Sequence, residues 1–403
     1  MVEVTDAMTG NGVTGNGVQG GSRNGGPQNG VPRAATVGVV GLGLIGGSLA
    51  LRLVERGRTV VAWNHTPRPY DSARAAGVRC VDSLEELAAA GPDVIVLCNP
   101  LKAMPDVLGV LAGTIRPGTT LTDVGSVKGM VRDQVKAAGL DAQYVGAHPM
   151  AGNERSGWAA ADPTLYDGAL WAVTVDGETD YARFLTVMDL ITAGVGNRVI
   201  VLNDAVHDEA AALISHMPHV VATALANELT ADPNRNVAAA LAAGCWRDMT
   251  RVALTDPDRT RAMVEEDAAN VETLLRSMAA RLTAVADLLH GELASAGVDA
   301  GAGACAGTGS GDGSDCGSAP VAATVTGAAV ATPPAMLNFF AAADPFRAYK
   351  AAERAGTAAH EPRVVDVTPD GWRDELLASA RRGEHVVRID GLRRFAAEVR
   401  SAL

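Results

Sequence analysis

Two short motifs, about a hundred residues apart, carry the chemistry legible in this chain. Gly41-Leu42-Gly43-Leu44-Ile45-Gly46 has the spacing of a loop that holds a dinucleotide pyrophosphate. His148-Pro149-Met150-Ala151-Gly152-Asn153-Glu154 sets a histidine just past an apolar, strand-like run, Tyr144 to Ala147. In an open α/β sheet such a strand end faces the active-site crevice. A neutral imidazole there can take a proton from a substrate hydroxyl while hydride leaves the same carbon. The pair implies hydride chemistry coupled to proton removal.

In the first motif Gly41 permits a tight turn, Gly43 lets the pyrophosphate approach the backbone, and Gly46 lets helix and strand pack closely. The phosphates then sit at a helix N-terminus, where free N–H groups and the helix dipole favour anions. The competing reading is a glycine-rich turn with no ligand. Beyond the second strand the chain reads Trp63-Asn64-His65-Thr66-Pro67-Arg68. Asn64 stands where an acidic residue would bind the ribose of NAD. Asparagine does not repel a 2′-phosphate, and His65, Thr66 and Arg68 offer partners for one. The cofactor reading is NAD or NADP, leaning to NADP; Arg68 as a mere solvated loop charge is the alternative.

The elements that must position these residues follow from the pattern. Strand-like runs at Thr36 to Val40, Thr59 to Trp63, Val78 to Val81, Val94 to Cys98, Thr120 to Asp123 and Tyr144 to Ala147 alternate with helix-like stretches such as Gly47 to Arg56 and Ser83 to Ala90. This predicts a Rossmann-type, doubly wound parallel sheet over residues 35–180, with Trp171 to Val175 as its last strand. Residues 181–291 read as helical: Asp204 to Leu229 with Asp204 as N-cap, Val237 to Leu254, and Asp258 to Leu289. The last helix is apolar on more than one face and so predicts packing against other helices, including those of a second subunit. Residues 1–34 and 292–335 are glycine-rich and read as a disordered tail and a low-complexity linker. Residues 336–403 read as a small α/β segment with strands at Arg363 to Val367 and His385 to Ile389, and helices at Asp374 to Arg381 and Leu392 to Leu403.

Bulk properties narrow the classes. The 403 residues allow two or three domains, and the net charge of −12 is spread along the chain. That argues against nucleic acid or membrane surfaces as main partners. There is no apolar span of membrane length and no basic-then-apolar N-terminus. Five cysteines without metal-type spacing fit a reducing cytoplasm.

The stretch His148 to Trp158 closely resembles the signature of the prephenate and arogenate dehydrogenases of tyrosine biosynthesis. Three further segments fit in the same order: Asp123-Val124-Gly125-Ser126-Val127-Lys128; His207-Asp208 followed by Ser215-His216-Met217-Pro218-His219; and Gly244-Cys245-Trp246-Arg247-Asp248-Met249-Thr250-Arg251-Val252-Ala253. The resemblance covers about residues 36–290. It implies oxidative decarboxylation of prephenate or arogenate with hydride transfer to NAD(P)+. It also implies His148 as the hydrogen-bond acceptor or base at the C4 hydroxyl and Ser126 as a partner of that hydroxyl. Arg251 then binds a substrate carboxylate, Arg247 lines the site, Glu154 sits at its mouth, and His216 and His219 face the cleft. A homodimer formed through the helical domain is expected, with a small-molecule substrate.

Other readings compete. His207, Asp208, His216 and His219 read as a metal site fail on phase, since His207 and His216 are half a turn apart on a regular helix; no metal is expected. A β-hydroxyacid dehydrogenase would need a catalytic lysine on the helical domain, and residues 181–290 have none. A 4-amino-4-deoxyprephenate dehydrogenase would be expected to change the loop around Ser126 and His148. A non-catalytic NADP-binding sensor would have lost the base or the arginine, and both are present. Arg247 and Arg251, four apart among Cys245, Trp246 and Met249, predict burial near a cleft, against the alternative of an exposed helical face.

Overall fold

The computed structural model describes residues 30–153, 155–295, 334–355 and 361–400. Five short runs rich in Val, Ile, Thr and Leu form strands β1 (Thr36–Val40), β2 (Thr59–Trp63), β3 (Arg79–Cys80), β4 (Val94–Leu97) and β5 (Thr120–Asp123). All pair in parallel, in the order β3-β2-β1-β4-β5. Helices α1 (Leu44–Glu55), α2 (Tyr70–Ala75), α3 (Leu84–Ala89), α4 (Met104–Thr114) and α5 (Lys128–Ala137) make the crossovers. The strands are apolar on both faces because both faces are covered. Val37, Val39 and Val96 pack on the side of Leu49 and Leu53 of α1. Val40, Ile95 and Leu97 pack on the side of Leu87, Leu108 and Val131.

The chain then leaves the parallel plan. β6 (Gly146–Pro149) joins the edge at β5, where Val145 N–H donates to Leu121 O (2.9 Å). β7 (Leu170–Thr174) runs antiparallel to β6. It is not the last strand: β8 (Arg198–Leu202) pairs with it in parallel. Between β7 and β8 lies α6 (Tyr181–Asp189), whose Phe184, Leu185, Val187 and Met188 are fully buried in the sheet's core. The stretch directly after Tyr181 therefore packs with the sheet and not with the helical unit.

The helical unit begins at α7 (Asp204–Ala211). Its N-cap is Asn203, whose Oδ1 accepts from Val206 N–H (2.8 Å); Asp204, expected in that role, stands one residue inside and pairs with Arg132. A π-helical turn, Ala212–His216, links α7 to α8 (Met217–Ala231). Then follow α9 (Arg235–Leu241), α10 (Gly244–Thr250), a 3-10 turn Arg251–Leu254, α11 (Pro257–Glu266), α12 (Ala268–Ser295), α13 (Pro334–Ala341) and α14 (Asp344–Arg354). Of the helices expected here, Val237 to Leu254 is interrupted around Ala242 and Ala243, and Asp258 to Leu289 at Asp267.

The C-terminal residues give β9 (Glu361–Asp366), α15 (Trp372–Arg381), β10 (Glu384–Gly391) and β11 (Arg394–Val399). They extend the second sheet, ordered β6-β7-β8-β10-β11-β9, with β10 antiparallel to β8. Residues 392–400 are not helical as expected: β11 pairs with both β10 and β9, and its alternate residues Phe395 and Ala397 are buried. Pairing on both sides outweighs the helical propensity of that stretch. Trp372 stacks within 4.8 Å of both Tyr181 and Phe184.

At the other terminus Ala34, assigned to the tail by composition, is fully buried and donates to Asp189 Oδ2 (2.9 Å). The rest of the expected tail through residue 29, and residues 296–333 of the expected linker, lie outside the described residues.

Candidate active site

The glycine loop follows β1 and opens α1. Gly41 has φ of 100°, and a Cβ there would lie 2.9 Å from Cys98 O. A Cβ on Gly46 would meet Gly41 O at 2.0 Å, so the turn excludes any side chain at either position. Gly43, the N-cap of α1, faces open space: nothing lies within 4 Å of its would-be Cβ. The first amides of α1 have no intrahelical acceptor. An open cradle before a helix N-terminus fits a phosphate group. Leu44 and Ile45 line the adjoining cleft. Leu42 is buried, and its N–H donates to Asn64 Oδ1 (2.8 Å). Asn64 Nδ2 donates to Thr66 O (2.9 Å), so Asn64 ties the ribose-side loop to the glycine loop. His65 and Arg68 beside it are exposed.

A cleft of about 650 Å³ runs on from this loop. Ser126 reaches it from the β5–α5 turn, His148 from the end of β6, His219 from α8, and Arg251 from the 3-10 turn after α10. Arg259 of α11 also lines it and donates to Asn153 O (2.9 Å) and Arg155 O (3.3 Å), clasping the loop after β6.

His148 sits in a chain of groups that sets its tautomer. Lys128 N–H and Gly129 N–H, at the start of α5, donate to the two Asp208 carboxylate oxygens (2.7 and 2.9 Å). These N–H groups and the His207 ring hold the Asp208 carboxyl below its ordinary range, overriding the opposing effect of burial. An ionised Asp208 accepts a hydrogen bond from His207 Nδ1–H (2.8 Å). His207 Nε2 must then accept from His148 Nδ1–H (2.9 Å). The lone pair of His148 is left on Nε2, ready to receive a proton. Burial first, then His207, Lys128 and His216, push the His148 pKa well below the ordinary histidine value, so the ring is neutral at pH 7.

A second network fixes the strand that carries His148. Lys128 is fully buried, pairs with buried Asp123, and donates to Ala147 O (2.9 Å). Asp123 also accepts from Tyr144 O–H (2.8 Å) and from Gly125 N–H (2.8 Å). With every lone pair engaged, such a pair is costly to break, about 3–5 kcal/mol on removal of one partner.

Not every residue expected at the site lies in the cleft. His219 does; its Nδ1–H donates to Ser215 O (2.8 Å), leaving Nε2 as an acceptor. His216 is fully buried behind the wall, bonded through Nδ1 to buried Asp267 (2.8 Å). Arg247 is exposed and does not line the cleft, and Cys245 and Met249 are exposed too, so the expected burial of this helix does not occur within one chain. Glu154 lies outside the described residues. Sequence reasoning gave His207 and Asp208 no role: they stood in a matched segment, and only their reading as metal ligands was set aside, because His207 and His216 are out of phase on a regular helix. The π turn between them adds a residue per turn and re-phases the helix, so that His216 lies near enough to His207 and Asp208 to feel their charge. The His207-Asp208 pair next to the expected N-terminus of a helix was the available signal.

The chain matches the family model for "Prephenate dehydrogenase, nucleotide-binding domain" over residues 48–201 and that for "Prephenate dehydrogenase, dimerization domain" over residues 203–295. It is 31% identical over 231 residues to the prephenate dehydrogenase of Bacillus subtilis, covering 55% of this chain and 61% of that protein. The chain thus spans about three-fifths of the length of the first curated relatives it matches. Among solved structures, a Corynebacterium glutamicum protein of the prephenate dehydrogenase type is 36% identical with a TM-score of 0.58, covering 62% of this chain and 80% of that one. Prephenate dehydrogenase from A. aeolicus, in complex with hydroxyphenyl propionate and NAD+, is 27% identical with a TM-score of 0.59, covering 64% of this chain and 91% of that one. With both family models met in order on a sheet and helical unit of the same fold, the chain belongs to the prephenate/arogenate dehydrogenase family.

Proposed function

We propose that this protein catalyses the oxidative decarboxylation of prephenate or arogenate, giving 4-hydroxyphenylpyruvate or tyrosine, carbon dioxide and a reduced nicotinamide cofactor. The observation that carries the reading is the Asp208–His207–His148 chain, which leaves an unprotonated nitrogen on a histidine lining the same cleft as Ser126 and Arg251. A bound NAD(P)+ supplies the hydride acceptor. Gly41, Gly43 and the first amides of α1 would hold its pyrophosphate, and Asn64, His65, Thr66 and Arg68 its adenosine ribose. The exposed His65 and Arg68, with no acidic residue beside them, favour NADP.

His148 accepts the C4 hydroxyl proton as the C4 hydride departs. The electron pair of the breaking ring–carboxylate bond restores aromaticity, and the held proton is available to the phenol oxygen. Ser126 orients the hydroxyl. Arg251 presents its guanidinium to a substrate carboxylate, offsetting the acidity of the chain as a whole. Little acid catalysis is required, so positioning dominates the rate.

A hydroxyl substrate is favoured over a ring amine because Ser126 and His148 share the cleft. The working unit is a homodimer joined through the helical unit: over residues 268–292, α12 has one buried residue, Val271, and leaves Leu282 and Leu289 exposed in the single chain. A cytoplasmic location fits the free thiols of Cys80, Cys98 and Cys245. No helix among the described residues is long and apolar enough to cross a membrane.

The test is an assay of purified protein with prephenate or arogenate against NAD or NADP, following cofactor reduction. Turnover with one substrate supports the reading and selects substrate and cofactor together. Folded protein inactive in all four combinations, yet active on 4-amino-4-deoxyprephenate or inert to all three, overturns it.

A further inference from the structure

Residues 334–354 lie outside both matched family segments and carry an unusual surface. Three of the chain's five phenylalanines are here, Phe339, Phe340 and Phe346, and they are 40%, 55% and 51% exposed. The other two, Phe184 and Phe395, are fully buried. From Pro334 to Ala343 there is no charged side chain. On α14 four of the five charged side chains pair with one another, Arg347 with Asp344 and Lys350 with Glu353. Nothing in that arrangement selects a charged partner such as nucleic acid or an anionic membrane.

The chain's own remaining stretches are poor covers for aromatic rings. Residues 1–29 and 296–333 contain no aromatic, leucine or isoleucine residue. In contrast, α13 packs directly beside α12, the long helix of the matched dimerisation segment, whose Leu282 and Leu289 are also exposed. The aromatic hairpin is thus joined through α13 to the helix that carries that exposed apolar surface. Exposed apolar area of this kind marks an interaction site.

We propose that the α13–α14 hairpin is an outer part of the dimer interface, with Phe339, Phe340 and Phe346 packed against a second copy of this chain. This rests on the dimer reading given above. Aromatic anchors that become desolvated dominate interface energetics, so their loss weakens association steeply. The test is sedimentation velocity of the full chain over a dilution series, beside the triple variant Phe339→Ser, Phe340→Ser, Phe346→Ser. The expected result is a dimer for the parent and a dimer dissociation constant raised at least roughly 30-fold for the variant, with unchanged circular dichroism. A parent that is monomeric throughout defeats the dimer reading and this proposal with it. A dimeric parent and a variant of equal dissociation constant overturn the hairpin proposal alone. Hydrogen exchange on the unmodified chain guards against a variant that merely misfolds. Amides of residues 334–354 should exchange more slowly above the dissociation constant than below it, and equal rates overturn the proposal.

Discussion

The sheet half and the helical half of this molecule bury their apolar residues to very different degrees. Every residue of β4 is buried, whereas α12 buries one, Val271, among its residues 268–292. The sheet half closes its own core, even drawing in the C-terminal strands and α15 to do so. The helical half presents apolar faces that a single chain does not cover. The cleft joins the two, and its parts differ accordingly. His148, His207 and Asp208 are fixed by a buried network where the end of β6 and the start of α5 meet α7. Arg251 and His219 come from the helical half, whose apolar residues are largely exposed in the single chain. Under the proposed function, the proton acceptor is pre-organised on one side of the cleft and substrate capture falls to the other.

The comparison can be broken at several points. His148→Asn should show the largest effect, a loss of kcat of roughly 10²–10⁴ with substrate binding retained; near-parent turnover in a stopped-flow assay removes it as the base. The same group sets the pH profile. Its depressed pKa keeps the base form down to pH values below the ordinary 6.5, so kcat/KM should stay level through neutrality and fall only at more acid pH. Stability follows the same sign: the unfolded histidine binds a proton first, so stability is lost as pH falls from about 6.5 toward the folded value. An acid limb centred at or above 6.5 contradicts the burial argument.

Trp372→Ala probes whether the C-terminal strands belong to the sheet's core. Truncating this buried ring should cost about 3–5 kcal/mol in chemical denaturation; a change below 1 kcal/mol would make the segment an appendage. Arg251→Gln should raise the substrate KM by roughly 10- to 100-fold with little change in kcat, the loss of one charged hydrogen-bond partner. An unchanged KM excludes it from the carboxylate site. His207→Phe removes the bond that orients His148, together with its own bond to Asp208, and should lower kcat about tenfold, less than loss of His148 itself; full activity means the relay does not position the base. Smallest is Asn64→Asp, which keeps an oxygen for Leu42 N–H and should shift preference toward NAD by about tenfold or less; a fixed NADP/NAD ratio refutes the ribose-loop argument.

The sheet was the most legible region because each buried strand is a short β-branched run bounded by turn residues, and β1, β2, β4 and β5 stand where the runs predict. The misreadings have separate causes. Residues 392–400 carry alanines that suit a helix, but β10, directly before them, and β9, farther back in the chain, supply pairing on the two edges. His207 and His216 were judged on a regular helix, and one π turn changed their relation. Arg247 was read as buried beside apolar neighbours, yet those neighbours are exposed in a single chain.

The sequence by itself determined the glycine loop, the histidine at the end of β6 and the family, because these depend on residue type at fixed local spacing. Only the tertiary structure decided which nitrogen of His148 carries the proton, which of His216 and His219 reaches the cleft, and that residues 361–399 complete the second sheet. Those outcomes depend on contacts between residues far apart in the chain: Asp208 with the start of α5, His207 with His148, and β8 with β10. A local pattern cannot encode them, since their energy is realised only when the packed elements meet.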